Sequence, residues 1–481
     1  MRWRWALAGL VLLSVAVTLL WRVPVVRSWA RDEIDWRGQR LYQPPHAPAP
    51  DQVDLRRVHT ELLPHWLIAR SRRTRGLGAS PEEAAFKALR AAVAPDPNLA
   101  MLLDELHDLS APSRLAEDPR RALYLSWAWS HYLGQHQAPF LIQGTIRGSK
   151  LGPIFSAGIY EIHSNAMVGL GSSAYRVQLV SRIDRTNLRE QYLGAAGHDG
   201  AVLVIDRLLD FAAAEVWPLL DPWLELELDG RRNFAGPVRA EARRQLSAAA
   251  LDRLAASAKA RWAITRTLRA IERRRAACGS GFRINDVPWS GFSEERLGRL
   301  EDVALRHAER ACPGITLGEV WALGEASEAL HPDPELLAAL QELVAWTAQH
   351  VAVHEARHLA DDGLVEGFDE PLACASCAEH MGISSRAELS GYLASMAWSP
   401  SPTLALYQAC RSLAGEHGRI TAAGEPHREA LKLFQRRVGP VCLDGPPPEL
   451  RALARHLEVE MLGRSEVMAL PTDFPTRLPV Q

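Results

Sequence analysis

The run from Pro334 to His358 constrains the fold more tightly than any other stretch of this 481-residue chain. After Pro334, the residues Leu336, Leu337, Leu340, Leu343, Val344 and Trp346 recur at the spacing of one helical face. Val351-Ala352-Val353 then carry the apolar surface into His354-Glu355-Ala356-Arg357-His358. The pattern predicts one continuous helix that enters an ionisable segment from its buried side. Residues four apart share a helical face, so the imidazoles of His354 and His358 are expected one above the other. Glu355 projects toward the neighbouring flank.

Two imidazoles so placed can reach one cation from the same side, and zinc (Zn2+) suits donors of this type. Zinc lowers the pKa of a bound water toward neutrality and polarises a carbonyl. A carboxylate in the position of Glu355 can take the water's proton and hand it to a leaving amine. The same spacing also fits an amphipathic helix with two histidines on its polar face. A catalytic zinc needs a third protein ligand and an open position. Asp361 and Leu364 stand where a metzincin has a glycine and a third histidine, which removes that subclass. Asp361 or Asp362 could ligate, or could accept a hydrogen bond from a ligand imidazole. For Asp361 a solvated charge at a helix end is the expectation. His380 is a further candidate ligand.

Through His354, Glu355 and His358 the chain resembles the gluzincin branch of the HExxH metallopeptidases, over about residues 335 to 400. The resemblance implies His354 and His358 as ligands, Glu355 as general base and a peptide bond as the linkage attacked. It also implies a glutamate ligand from a later helix. Glu388, within Ser385-Arg386-Ala387-Glu388-Leu389, is the residue expected there, although Ser385-x-x-Glu388 equally has the form of a capping box. Tyr392 lies one turn beyond Glu388, which would aim its phenol at a developing oxyanion. In such architectures substrate lies along an edge strand above the metal-bearing helix. The middle of the chain, the only source of strands, is therefore expected to pack against that helix. Arg357 departs from the family pattern, which has an uncharged residue there, and is expected to face solvent.

The N-terminus carries the second signal. Trp5 to Trp21 is apolar almost throughout, with Arg2 and Arg4 before it and Arg22 after it, close to the length that crosses a bilayer. Residues 1–26 are read as a single-pass transmembrane helix in the cell (inner) membrane, with the rest of the chain facing the periplasm or exterior. A signal peptide cleaved near Ser28-Trp29-Ala30 is the alternative. Residues 27–55, with Pro44, Pro45, Pro48 and Pro50, form a spacer. Six cysteines in an exported chain permit three disulfides. Separation suggests Cys278 with Cys312 and Cys410 with Cys442. Cys374-x-x-Cys377 fits a tight disulfide, a redox pair, or a closed structural zinc site with His354 and His358. The last would describe a non-catalytic envelope protein. A degenerate peptidase serving as a scaffold is a further alternative.

The net charge of −2 argues against a nucleic-acid partner, and 47% apolar residues argue against disorder. The fold class expected is α+β, predominantly α-helical, with a small central sheet and a helical zincin-like region. Residues 56–138 read as helical, 139–210 as β-containing, 211–310 as helical and 311–481 as the metallopeptidase region. Strands are expected at Phe140 to Ile146, Tyr175 to Val180 and Ala201 to Ile205. Gly144, Gly148, Gly152, Gly169 and Gly171 read as turn glycines. The arginine-rich stretch from Arg261 to Arg275 reads as a solvated charged face.

Overall fold

The computed structural model describes residues 50–76, 81–117, 119–149, 152–183, 193–197, 200–224, 231–279, 282, 284, 287–364, 372–374, 377, 381–413 and 425–480. The chain divides into two compact units, residues 1–162 with 182–189, and residues 163–181 with 190–481. Helix dominates, as expected, with one small sheet. The expected membrane span lies outside the described residues. Among those that are described, no helix is long and apolar enough to cross a bilayer.

The first unit begins with a helical stretch from Leu55 that passes through a π segment, Val58–Leu62, into α1 (Leu63–Thr74). It continues through α2 (Glu82–Val93), α3 (Pro97–Leu109), α4 (Pro112–Glu117) and α5 (Pro119–Gln135). Pro95 cannot continue α2, and Asp96 restarts the chain as a helix cap. One Asp96 oxygen accepts the amides of Asn98 and Leu99 at 2.9 and 3.2 Å, and the other accepts the Tyr132 hydroxyl at 2.6 Å. Strand β1 (Phe140–Ser149) pairs antiparallel with the first part of β2 (Gly152–Leu170), from Phe140 opposite Glu161 to Ser149 opposite Gly152. Trp66, Leu103, Trp129, Phe140 and Ile159 belong to this unit's core. His59 is buried within it, donating from Nδ1 to the Leu55 carbonyl (2.7 Å) and accepting at Nε2 from the Trp129 indole (3.2 Å).

In the second unit the end of β2 is followed in the sheet order by β3 (Ser173–Arg182), β5 (Gly200–Val204) and β4 (Gly194–Gly197). β5 runs parallel to β3, with Val177 opposite Ala201, and β4 runs antiparallel to β5, with Gly194 opposite Leu203. A short β6 (Met468–Ala469) pairs with the end of β2. The helices are α6 (Ile205–Phe211), α7 (Arg231–Gln245), α8 (Ala248–Cys278), α9 (Glu294–Arg306), α10 (Leu317–Leu330), α11 (Pro334–Leu364), α12 (Ile383–Trp398), α13 (Pro402–Leu413), α14 (Glu425–Val438) and α15 (Leu450–Leu462).

The predicted continuous helix is α11, 31 residues long. The Asp333 carboxylate accepts the Leu336 amide at 2.7 Å and sets its start. Leu336, Leu340, Leu343, Val344, Trp346, Val351, Ala352 and Val353 are all buried. α11 packs on β4 and β5 along one side and on α12 along another. The middle of the chain therefore does meet the motif helix, through β4 and β5.

Three strands go beyond the sequence expectation, the short β6 and two longer ones. β2 carries Glu161, His163, Ser164 and Asn165 in mid-strand, which interrupts the alternation of a half-buried strand. β4 is Gly-Ala-Ala-Gly, with no β-branched residue to announce it. Gly152 and Gly171 are turn glycines with φ of +115° and +56°. Gly144 and Gly148 instead lie inside β1 and Gly169 inside β2, and a Cβ on Gly144 would stand 2.5 Å from the Ser126 hydroxyl. The arginine-rich segment is not a solvated face. Arg261 is buried and donates to the carbonyls of Ala213 and Pro288, Arg269 pairs with Glu215, and Arg274 pairs with Glu319. Cys278 is bonded to Cys312 and Cys410 to Cys442, as separation suggested, and Cys374 is bonded to Cys377.

Candidate metal centre

His354 and His358 leave α11 on one face, as their spacing requires, with their Nε2 atoms 3.0 Å apart. Glu388, on the first turns of α12, brings Oε2 to 3.3 Å from His354 Nε2. One donor atom from each of the three lies within 4.8 Å of the others. Ligands about 2.0–2.1 Å from a tetrahedral zinc are about 3.3 Å from one another by geometry. The donor set could therefore hold a divalent cation between two nitrogens and a carboxylate.

The capping-box alternative for Glu388 fails. α12 starts at Ile383 after Gly382, which makes no side-chain cap, and the Ser385 hydroxyl donates instead to Glu429 at 2.5 Å. α12 approaches α11 closely because Gly391 faces His354. A Cβ on Gly391 would stand 2.7 Å from that ring.

Glu355 is buried, with its side chain against Gly194 of β4. A Cβ at Gly194 would stand 2.7 Å from its Cγ and 2.9 Å from its Oε1, so glycine is what admits the side chain there. The Ala196 amide hydrogen-bonds the carboxyl. Burial, joined by the Glu388 charge, pushes Glu355 up to about 7 against the pull of His354 and of that amide. Burial drives His358 down to about 3, with His354 adding to the effect. Burial also opposes charging of His354, yet the hydrogen bond and charge of Glu388 leave its pKa raised. Burial resists ionisation of Glu388, but hydrogen bonds from His354 and His427 hold its carboxyl well below the usual range. A neutral His358 and an ionised Glu388 are the states in which these groups act as ligands.

Other expected residues fall elsewhere. Tyr392 stacks edge-on against His354 with ring centroids 5.0 Å apart, is almost fully buried, and places its hydroxyl 2.8 Å from His427 Nδ1. Arg357 does not face solvent. It is fully buried, donating to Glu458 Oε1 on α15 at 3.0 Å, while Trp398 donates to the other Glu458 oxygen at 2.7 Å. Asp361 is likewise no solvated charge, since it is buried and paired with Arg464 at 2.8 Å. Cys374 and Cys377 are bonded to each other and do not join the cluster, so they offer no thiolates for a closed four-ligand site. His380 and the Asp362 side chain lie outside the described residues.

His427 is the site residue that sequence reasoning missed. It enters from the first turn of α14 and brings Nδ1 to 2.9 Å from Glu388 Oε2. Nothing in Glu425-Pro426-His427 marks it, because its role depends on a helix contact remote in sequence. No family profile, characterised protein or solved structure matches the chain. The arrangement therefore speaks through its chemistry alone: three convergent donors, and beside them a buried carboxyl with an affinity for protons near neutrality.

Proposed function

We propose that the protein is a zinc metallopeptidase that hydrolyses peptide bonds, with His354, His358 and Glu388 as ligands and Glu355 as general base. The observation that carries this reading is the convergence of the three donor atoms next to the buried Glu355 carboxyl. When bound, a zinc ion supplies a Lewis acid for the scissile carbonyl and makes water a better nucleophile. Glu355 supplies the proton traffic. Its carboxylate can accept a proton from water and return it to the departing amine. The Ala196 amide and the surface of Gly194 hold it in place for both transfers.

β4 ends the sheet order, and among the described residues its outer side has no strand partner. That free edge, next to Glu355, supports binding of an extended peptide by main-chain hydrogen bonds. The disulfides Cys278–Cys312, Cys374–Cys377 and Cys410–Cys442 support an oxidising compartment. They fit a chain anchored in the cell membrane through residues 1–26, acting on exported peptides or proteins.

The test uses the full chain. Wild type and Glu355→Gln are each expected to retain one zinc per chain and the same circular dichroism, while the variant loses cleavage of an unfolded protein substrate by about a hundredfold or more. His354→Ala is expected to lose the metal. Undiminished hydrolysis by Glu355→Gln would dismiss the base, and absence of zinc from the wild type would dismiss the site.

A further inference from the structure

We propose that His427 is a positioning residue that fixes the Glu388 carboxylate toward the cation, and that Tyr392 acts on the site through His427. The inference rests on the metal reading above and adds to it a residue from a third helix. His427 Nδ1 lies 2.9 Å from Glu388 Oε2 and 2.8 Å from the Tyr392 hydroxyl oxygen. One ring nitrogen offers either a hydrogen or a lone pair, and an ionised carboxylate offers only acceptors. Nδ1 therefore carries the hydrogen, with Glu388 Oε2 at ion-pair distance and the Tyr392 oxygen as its hydrogen-bond partner. This fixes the imidazole's tautomer and plane.

The oxygen held in this way is the one that matters. Glu388 Oε2 is also the atom 3.3 Å from His354 Nε2. A glutamate has three side-chain torsions to lose when it is held in one position, and an N–H fixed beside that oxygen lowers the cost of holding it. The donor is itself anchored. α14 is tied to α12 a second time by the 2.5 Å hydrogen bond from Ser385 to Glu429, two residues along from His427. His427 is thus delivered by a helix whose seat on α12 does not depend on the Glu388 contact. Tyr392 is nearly buried against the His354 ring, so its phenol is placed to hold His427 in plane rather than to face a substrate.

The test measures metal affinity and not turnover. Apo full-length protein is titrated with Zn2+ by calorimetry and with Co2+ by visible absorption, for wild type, His427→Leu, His427→Asn and Tyr392→Phe. His427→Leu fills the space without a donor, whereas His427→Asn keeps a donor near the position of Nδ1. The expected result is a loss of about ten- to a hundredfold in Zn2+ affinity and an altered Co2+ spectrum for His427→Leu. Affinity close to wild type is expected for His427→Asn, with a smaller loss for Tyr392→Phe. Equal affinity of wild type and His427→Leu overturns the proposal, as does His427→Asn binding as weakly as His427→Leu. A wild type that binds neither ion overturns the metal reading itself, a result distinct from either of these.

Discussion

Arg357 is a buried cation whose partner, Glu458, lies 101 residues further along the chain. Its guanidinium locks the motif helix α11 to α15, and the pair sits where water cannot compensate a lost member. Removing one member of such a pair leaves the other charge buried and alone. Arg357→Met is therefore expected to cost about 3–5 kcal/mol, and pairing it with Glu458→Leu should recover most of that loss. Urea unfolding of the three variants checks the order. Whether α11 keeps its orientation shows separately in the metal content expected of the proposed site. At this scale the sequence was legible where one helix fixes direction: His354, Glu355 and His358 follow from their spacing alone. Glu388 needed a pattern from outside the chain. Arg357 and Asp361 were misjudged because exposure depends on what packs against a helix, and Glu458 and Arg464 come from the far C-terminal part. His427 was invisible for the same reason.

Elements were easier to read than their partners. The apolar period of α11 announces itself through spacing, since that effect acts within a few residues. β4 did not, because a Gly-Ala-Ala-Gly strand exists only through its pairing with β5 and its seat on α11. The covalent ties between elements carry a prediction of their own. Cys278–Cys312 ends α8 and spans 34 residues, Cys410–Cys442 links α13 to the segment after α14 across 32, and Cys374–Cys377 spans three. Constraint of the unfolded chain grows with loop length, so serine replacement of either long pair should cost about 3–4 kcal/mol and of the short pair clearly less. Thermal unfolding of the three double-serine variants measures this, and an equal loss for all three would refute the ranking.

At the scale of the whole molecule, the described residues form two hydrophobic cores, one in each unit, and the first carries an acid-sensitive group far in sequence from the candidate site. Burial lowers His59 from its ordinary 6.5 to about 4, only partly offset by its bond to the Leu55 carbonyl. Folding therefore favours the neutral ring. Its contribution is complete above pH 6.5 and is lost as pH falls toward 4, amounting to about 3 kcal/mol across that window. The physical cause is local, since a proton on Nε2 would confront the Trp129 N–H that it now accepts. Unfolding between pH 7 and 4 should show a transition of the first unit that moves with acid in wild type and moves much less in His59→Gln. Identical pH slopes would remove His59 from the account. In the second unit, the strand next to Glu355 has a different kind of consequence. Two glycines and two alanines offer a visiting polypeptide almost nothing but amides and carbonyls. A cutting edge of that composition would be nearly blind to residue identity along β4. Its choice of scissile bond would then fall to whichever target stretches are already slack enough to lie flat.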